Sequence, residues 1–150
     1  VNAARSPTAP AADVLLLPHW SEEDWRRILD RTTLRRVGAN EIVIARGSEE
    51  RSLYFTLSGE YEVGSTYMGG VSFTTLARIP PGSVFGEQSF FDGMARSANV
   101  WGCAPGEVLV LPFEGYEAFS AEAPALARDL VFALARILSL RLRNTTVRVL

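Results

Sequence analysis

Residues 85–98 read FGEQSFFDGMARSA, and what its acid and its base are for decides the rest. Gly86-Glu87 opens the run and Arg96-Ser97-Ala98 closes it, with two phenylalanines and an Asp92-Gly93 turn between. These residues alone leave two readings. Glu87 and Arg96 neutralise each other as a structural ion pair, or both face a ligand with one anionic group and one hydroxyl. In the second reading Gly86 lets the backbone approach closely. A short helix from Glu87 through Gln88 and Ser89 then offers unpaired amides at its start. Arg96 supplies a planar fork suited to phosphate, Ser97 a hydroxyl and Ala98 an amide. A carboxylate at Glu87 repels phosphate, so it belongs there only if it accepts from a neighbouring hydroxyl or orients Arg96. Phosphate beside a hydroxyl is the chemistry of a nucleotide.

Working outward, all twelve glycines fall between Gly38 and Gly115. Glycine weakens helices and serves turns, so the flanks read as helical and the middle as short strands. EIVIA (41–45), SLYFTLS (52–58), EYEVGSTY (60–67), VSFTTLA (71–77), SANVWGC (97–103) and EVLVLP (107–112) are strand-length and rich in β-branched or aromatic residues. Met68-Gly69-Gly70-Val71 reads as a two-residue hairpin turn, and Pro80-Pro81-Gly82 breaks the chain before the opening motif. The spacing predicts a sandwich or barrel-like roll over 38–112.

The first flank carries helix signals. Ser21 and Asp24 have capping-box spacing, and Trp20 and Trp25 flank them as a hydrophobic staple, predicting a helix over 21–31. The second flank predicts helix over 114–143, with Pro124 in the first turn of its long part. Leu126, Leu130, Ala133, Ile137 and Leu140 form one apolar stripe, and Val131, Leu134 and Leu138 a second. A terminal helix apolar on two sides packs one on its own domain and the other on a partner, so a homodimer through this helix is expected. Burial of the whole helix on its own roll is the alternative. Residues 1–13 read as a flexible leader or linker, and 14–150 as one domain.

Composition narrows function by exclusion. The net charge of −2 makes no case for nucleic-acid or membrane partners, and no stretch is long and apolar enough to span a bilayer. One cysteine, Cys103, excludes an intramolecular disulfide and fits a reducing, cytoplasmic compartment. His19 is the only histidine and reads as a surface residue. Cys/His metal sites and histidine-based catalysis therefore lack their parts, and the chain reads as a non-enzyme with no metal.

The ordered set of motifs resembles the cyclic nucleotide-binding domain family. FGE, a few apolar residues and then RSA are similar to that family's phosphate-binding cassette. Gly38–Ile44 with Arg46-Gly47, LYFTLSGEYEV (53–63), LARIPPGSVFGE (76–87) and VLVLPFEGYEAF (108–119) resemble its successive strands and following helix. The resemblance covers roughly residues 15–143. It implies a mainly β fold, a β-roll of the double-stranded β-helix or jelly-roll type with an N-terminal helix and a long C-terminal helix. It also implies a sensor for cAMP or cGMP with no other cofactor. Glu87 would bind the ribose 2′-hydroxyl and Arg96 the cyclic phosphate, with Gly86, Gln88, Ser89, Ser97 and Ala98 completing the cradle. Relatives often have Pro before the arginine, where this chain has Ala95. Arg-Ser-Ala is similar to the catabolite-activator-like branch and leans toward cAMP. In an ungapped comparison with that branch Arg141-Leu142 falls where the base is met, Arg141 reading either as a lid over the purine or as a solvated helix residue. No helix-turn-helix is expected after the long helix, so output would pass to a fused or separate effector and not directly to DNA. A ligand-free β-roll interaction domain is the alternative with the same fold.

Overall fold

The structure of the chain, a computed structural model, describes residues 13–66 and 73–149. In chain order these form helix α1 (Glu22–Leu29) and strands β1 (Thr33–Val37), β2 (Ile42–Ile44), β3 (Leu53–Thr66), β4 (Phe73–Ile79) and β5 (Val84–Phe85). The short helix α2 (Glu87–Asp92), strand β6 (Asn99–Leu111) and helices α3 (Phe113–Glu122) and α4 (Pro124–Val149) complete the order. It is the expected β-roll flanked by helices.

Two long strands carry the roll. β3 and β6 pair antiparallel from Leu53↔Leu111 to Gly64↔Asn99, with register shifts between Thr56 and Tyr61. The sequence pattern divided each of them in two, with a turn near Gly59 and another near Gly106. The structure corrects this: both strands run through, and the glycines mark bulges. Gly59 has φ +92°, and a Cβ on Gly106 would lie 2.2 Å from the Ser58 carbonyl oxygen and 2.6 Å from Gly59 Cα. Only hydrogen fits where the backbones meet, so the pair bends there without breaking. On either side of the bend the partners differ. β1 lies on the C-terminal half of β6 and β2 on its N-terminal half, while β5 lies on the start of β3 and β4 on its end. β1 precedes the expected start of the roll at Gly38. It is an edge strand that buries only Val37, and its Arg35 and Arg36 leave no alternating signal to read.

Side-chain alternation divides the interior into two cores. Leu53, Phe55, Val84 and Leu111 face the helices, joining Ile28, Phe90, Phe119, Leu130, Leu134 and Ile137. Tyr54, Phe85, Tyr61, Val100 and Val108 face the inside of the roll. The expected capping box is formed: the Asp24 amide donates to Ser21 Oγ, and the Ser21 amide donates to Asp24 Oδ2. Trp20 and Trp25 meet edge-on at 4.8 Å, and Trp20 Nε1 donates to Asp129 on α4.

α1 stops at Leu29, short of Arg31. The C-terminal segment is two helices, broken at Ala123, with Pro124 first in α4 as expected, and α4 continues past Arg143 to Val149. Its inner face buries Ala127, Leu130, Ala133, Leu134 and Ile137, which moves Leu134 from the expected outer stripe to the inner one. Asp13, assigned from sequence to the leader, is fixed within the fold. Residues 1–12 and the Met68–Val71 turn lie outside the described residues.

Candidate functional site

The cassette forms where the two cores meet. Val84 points to the helices, while Phe85 stacks on Tyr54 inside the roll at 4.8 Å. The next residue, Gly86, takes φ +83° and caps α2. A Cβ there would be strained by that φ and would press on the Ser52 carbonyl oxygen and on Arg96 Nη1, each at 3.0 Å. α2 is held from the helical side, because buried Phe90 packs edge-on against Phe113 and Tyr116. The returning loop is held from the roll side, with Arg96 backbone bonded to Gly47 and Ser48.

Arg96 is 3% exposed. Its Nη1 donates to the Gly86 carbonyl at 2.8 Å, and its Nη2 to the Ser52 carbonyl at 2.6 Å and to Glu50 Oε1 at 2.8 Å. Its Nε is buried without a hydrogen-bond partner among the described residues. A buried guanidinium that leaves one donor unmatched is a costly arrangement, and such groups concentrate where a ligand is met. Glu50 also accepts from the Ser52 amide and from Tyr54 Oη. Burial pushes the Glu50 carboxyl up, but hydrogen bonds from Ser52, Arg96 and Tyr54 and the Arg96 charge outweigh it and leave the pKa below the usual value. The Tyr54 phenol is pushed up to about 12, first by burial and then by the Glu50 charge beside it.

Glu87 turns the other way. Its Oε2 accepts from Arg141 Nη1 at 2.8 Å, so Glu87 and Arg96 have separate partners and the ion pair between them is not formed. Arg141 is no solvated helix residue: its side chain is 18% exposed and bonds Asp13, Ser83 and Val84 as well. Ser97 Oγ donates to Gln88 Oε1 at 3.1 Å across the mouth of the cassette, and Ser89 is buried with its carbonyl accepting from Arg51.

A cleft of about 1730 Å³ runs between roll and α4. Gly86, Glu87, Gln88, Ser89, Arg96, Ser97, Ala98 and Arg141 all line it, with Val63, Ala77, Ile79 and Val100 as an apolar wall. The residues singled out from the sequence thus share one cleft. Sequence reasoning missed Glu50, Asp13 and Arg51. Arg51 donates to the carbonyls of Ser89, Phe90 and Phe91 and lies 3.6 Å over the Phe113 ring, tying the end of α2 to the start of α3.

The family model for the cyclic nucleotide-binding domain matches residues 34–122. The chain belongs to that family. Its sequence is 35% identical over 94 residues to a cyclic AMP receptor protein of Thermus thermophilus, covering 63% of this chain and 43% of the receptor. It is also 31% identical over 134 residues to Glutaminase 2 of Bradyrhizobium diazoefficiens, covering 89% of this chain and 20% of that protein. The chain therefore spans less than half the length of either relative. Among solved structures, the catabolite activator protein of Thermus thermophilus superposes with a TM-score of 0.72 at 30% identity, over 88% of this chain and 60% of that one. A cyclic nucleotide-binding domain from Methylobacillus flagellatus shares the fold with a TM-score of 0.80 at 24% identity, over 90% of this chain and 75% of that one. The chain is a cyclic nucleotide-binding regulatory domain, and no helix among its described residues is long and apolar enough to cross a membrane.

Proposed function

We propose that the domain senses cAMP, in preference to cGMP, in the cleft between cassette and α4. The observation that carries this is Arg96, a residue lining the cleft beside Gly86 whose buried guanidinium has an unmatched Nε. Arg96 receives the singly charged cyclic phosphate, helped by Gly86, Gln88, Ser89, Ser97 and Ala98, and Glu87 accepts from the ribose 2′-hydroxyl. The base lies toward α4 and Arg141. The preference for cAMP rests on Ser97 after the arginine and on the likeness to a cyclic AMP receptor.

The output is a shift in the position of α4. Ligand in the cleft favours a state in which α4 closes on it and Phe90 and Phe91 repack, and this requires tighter binding to that state than to its alternative. The outer face of α4 supports a second copy as one partner. Phe132 on that face is 77% exposed, whereas Ala135, Leu138 and Leu142 line the cleft. Likeness to one fifth of a glutaminase supports an effector, fused or separate, that receives the signal. We assign the chain itself no catalytic step and no cofactor, and a cytoplasmic location.

Calorimetric titration with cAMP and cGMP, repeated on Arg96→Ala, tests the reading. Binding of cAMP that disappears in a folded Arg96→Ala sustains it. No heat and no thermal shift with either nucleotide would instead leave a β-roll that works as an interaction domain alone. Hydrogen exchange of α4, slower with ligand than without, is the expected sign of the proposed output.

A further inference from the structure

We propose that Arg141 is a positioning residue for ribose recognition. It holds the Glu87 carboxylate by Oε2, so that Oε1 meets the 2′-hydroxyl, and Asp13 extends this hold to the segment that precedes α1. The inference rests on the nucleotide-binding reading and goes beyond it, because it assigns a role to residues outside the cassette.

The Glu87 side chain is only 10% exposed and lies on the same cleft as the arginine that meets the phosphate. A buried carboxylate near a phosphate is unfavourable unless a cation compensates it. Arg96 does not do so, since Glu50 and two carbonyls hold it. Arg141 does, through Nη1 at 2.8 Å.

The rest of the Arg141 guanidinium is anchored on the stem of the same cassette. Its Nη2 donates to the Val84 carbonyl at 2.7 Å and to Ser83 Oγ at 3.1 Å, a few residues before Glu87. Its Nε donates to Asp13 Oδ2 at 2.6 Å. A planar group fixed at three nitrogens delivers its charge in one orientation, and that orientation is passed to Glu87. Burial works to lower the Arg141 pKa, but the charges and hydrogen bonds of Glu87 and Asp13 together outweigh it and hold the pKa above its ordinary value.

Asp13 is itself laced in. Ser83 Oγ donates to its carbonyl, Leu15 donates to the Gly82 carbonyl at 2.9 Å, and Arg136 on α4 donates to the Val14 carbonyl at 3.3 Å. Segment 13–15, α4 and the cassette stem therefore share one guanidinium. Without it, Glu87 and Asp13 would face each other as like charges. Glu87 would then turn away from Asp13, and so turned it is a poorer acceptor for the hydroxyl.

The test compares cAMP with its 2′-deoxy counterpart on the wild-type chain, on Arg141→Met and on Asp13→Asn. The wild type is expected to prefer the ribose form by roughly ten- to a hundredfold, as for a hydrogen bond to a charged group. In Arg141→Met that preference collapses to within about threefold, the ribose form losing far more affinity than the 2′-deoxy form, because the phosphate contact at Arg96 is kept by both. Asp13→Asn falls between the two.

Equal weakening of both ligands in Arg141→Met, or a preference kept at its wild-type value, would overturn the inference and leave the nucleotide-binding reading standing. If Arg141→Met does not fold, Asp13→Asn decides alone, and an unchanged preference there overturns the proposal. A wild-type chain that binds neither ligand overturns both the inference and the reading beneath it.

Discussion

Arg96 and Arg141, the first buried and the second partly exposed on the same cleft, are fastened in opposite ways. Arg96 is tied to residues close around it on one wall: Gly86, Glu50 and Ser52 all belong to the roll or to the cassette that springs from it. Arg141 joins two parts of the chain that only the fold brings together, Asp13 and the cassette with its Ser83–Val84 stem and Glu87, from a helix near the other end of the sequence. The first arrangement makes a fixed wall. The second makes a joint, since each bond of Arg141 depends on where α4 lies. The output proposed for the domain needs one of each, a rigid surface to hold the charge and a hinged one to report it.

The difference can be broken most directly at Arg96. Arg96→Met orphans the Gly86 and Ser52 carbonyls and strips Glu50 of its cation, and a loss of about 3 kcal/mol is expected in urea unfolding. Arg141→Met should cost less, about 1–2 kcal/mol, because its partners reach water once α4 loosens. If the second variant is the less stable one, the fixed-wall and joint assignments are reversed. Next in size is Gly86→Ala. The positive φ and the 3.0 Å approach to Ser52 predict about 2 kcal/mol of destabilisation, with cAMP affinity falling alongside as the cassette shifts off Arg96.

Arg51 sharpens the comparison, since it is the link between wall and joint. It closes the C-terminal end of α2 and stacks on Phe113, from which α3 and then α4 follow. Arg51→Met is expected to cost about 1 kcal/mol in stability. Its distinctive effect would be on output, with cAMP still bound but α4 gaining less protection from hydrogen exchange. Full protection in the variant would show that α4 is reached through Arg141 alone.

What the sequence made legible follows the same division. The α1 cap was readable because Ser21 and Asp24 are neighbours with one chemistry at one spacing. The cassette was readable because its residues lie close together in sequence, whereas the apolar wall of Val63, Ala77, Ile79 and Val100 comes from strands that gave no such signal. Glu50 was not, since it meets Arg96 from 46 positions away and stands beside Glu49, which offers the same group. Arg141 was placed at the base by resemblance alone, and its bond to Glu87, 54 positions away, left no local mark in the sequence. The continuity of β3 and β6 was hidden for a different reason. A glycine that permits a bulge and a glycine that makes a turn look alike in sequence, and only the partner backbone near Gly106 separates them.

The smallest expected effect probes the wall by charge alone. Glu50→Gln keeps the shape of the side chain and removes its negative charge from Arg96 and Tyr54. The Glu50 pKa is depressed in the fold, so its contribution to stability is present above the unfolded value, roughly 4.3, and is lost as pH falls through the folded one. The variant should therefore melt about 2 °C below wild type near neutral pH, with the gap closing as the pH falls below about 4. The phenol of Tyr54 gives an independent reading at the other end of the scale. It is pushed up to about 12 by burial first and by Glu50 second, so in Glu50→Gln its ultraviolet titration should move down toward, without reaching, the ordinary value near 10. A Tyr54 titration left in place, with a melting difference independent of pH, would mean that Glu50 supports Arg96 by shape and hydrogen bonding, and that the charge on this wall awaits the phosphate undiminished.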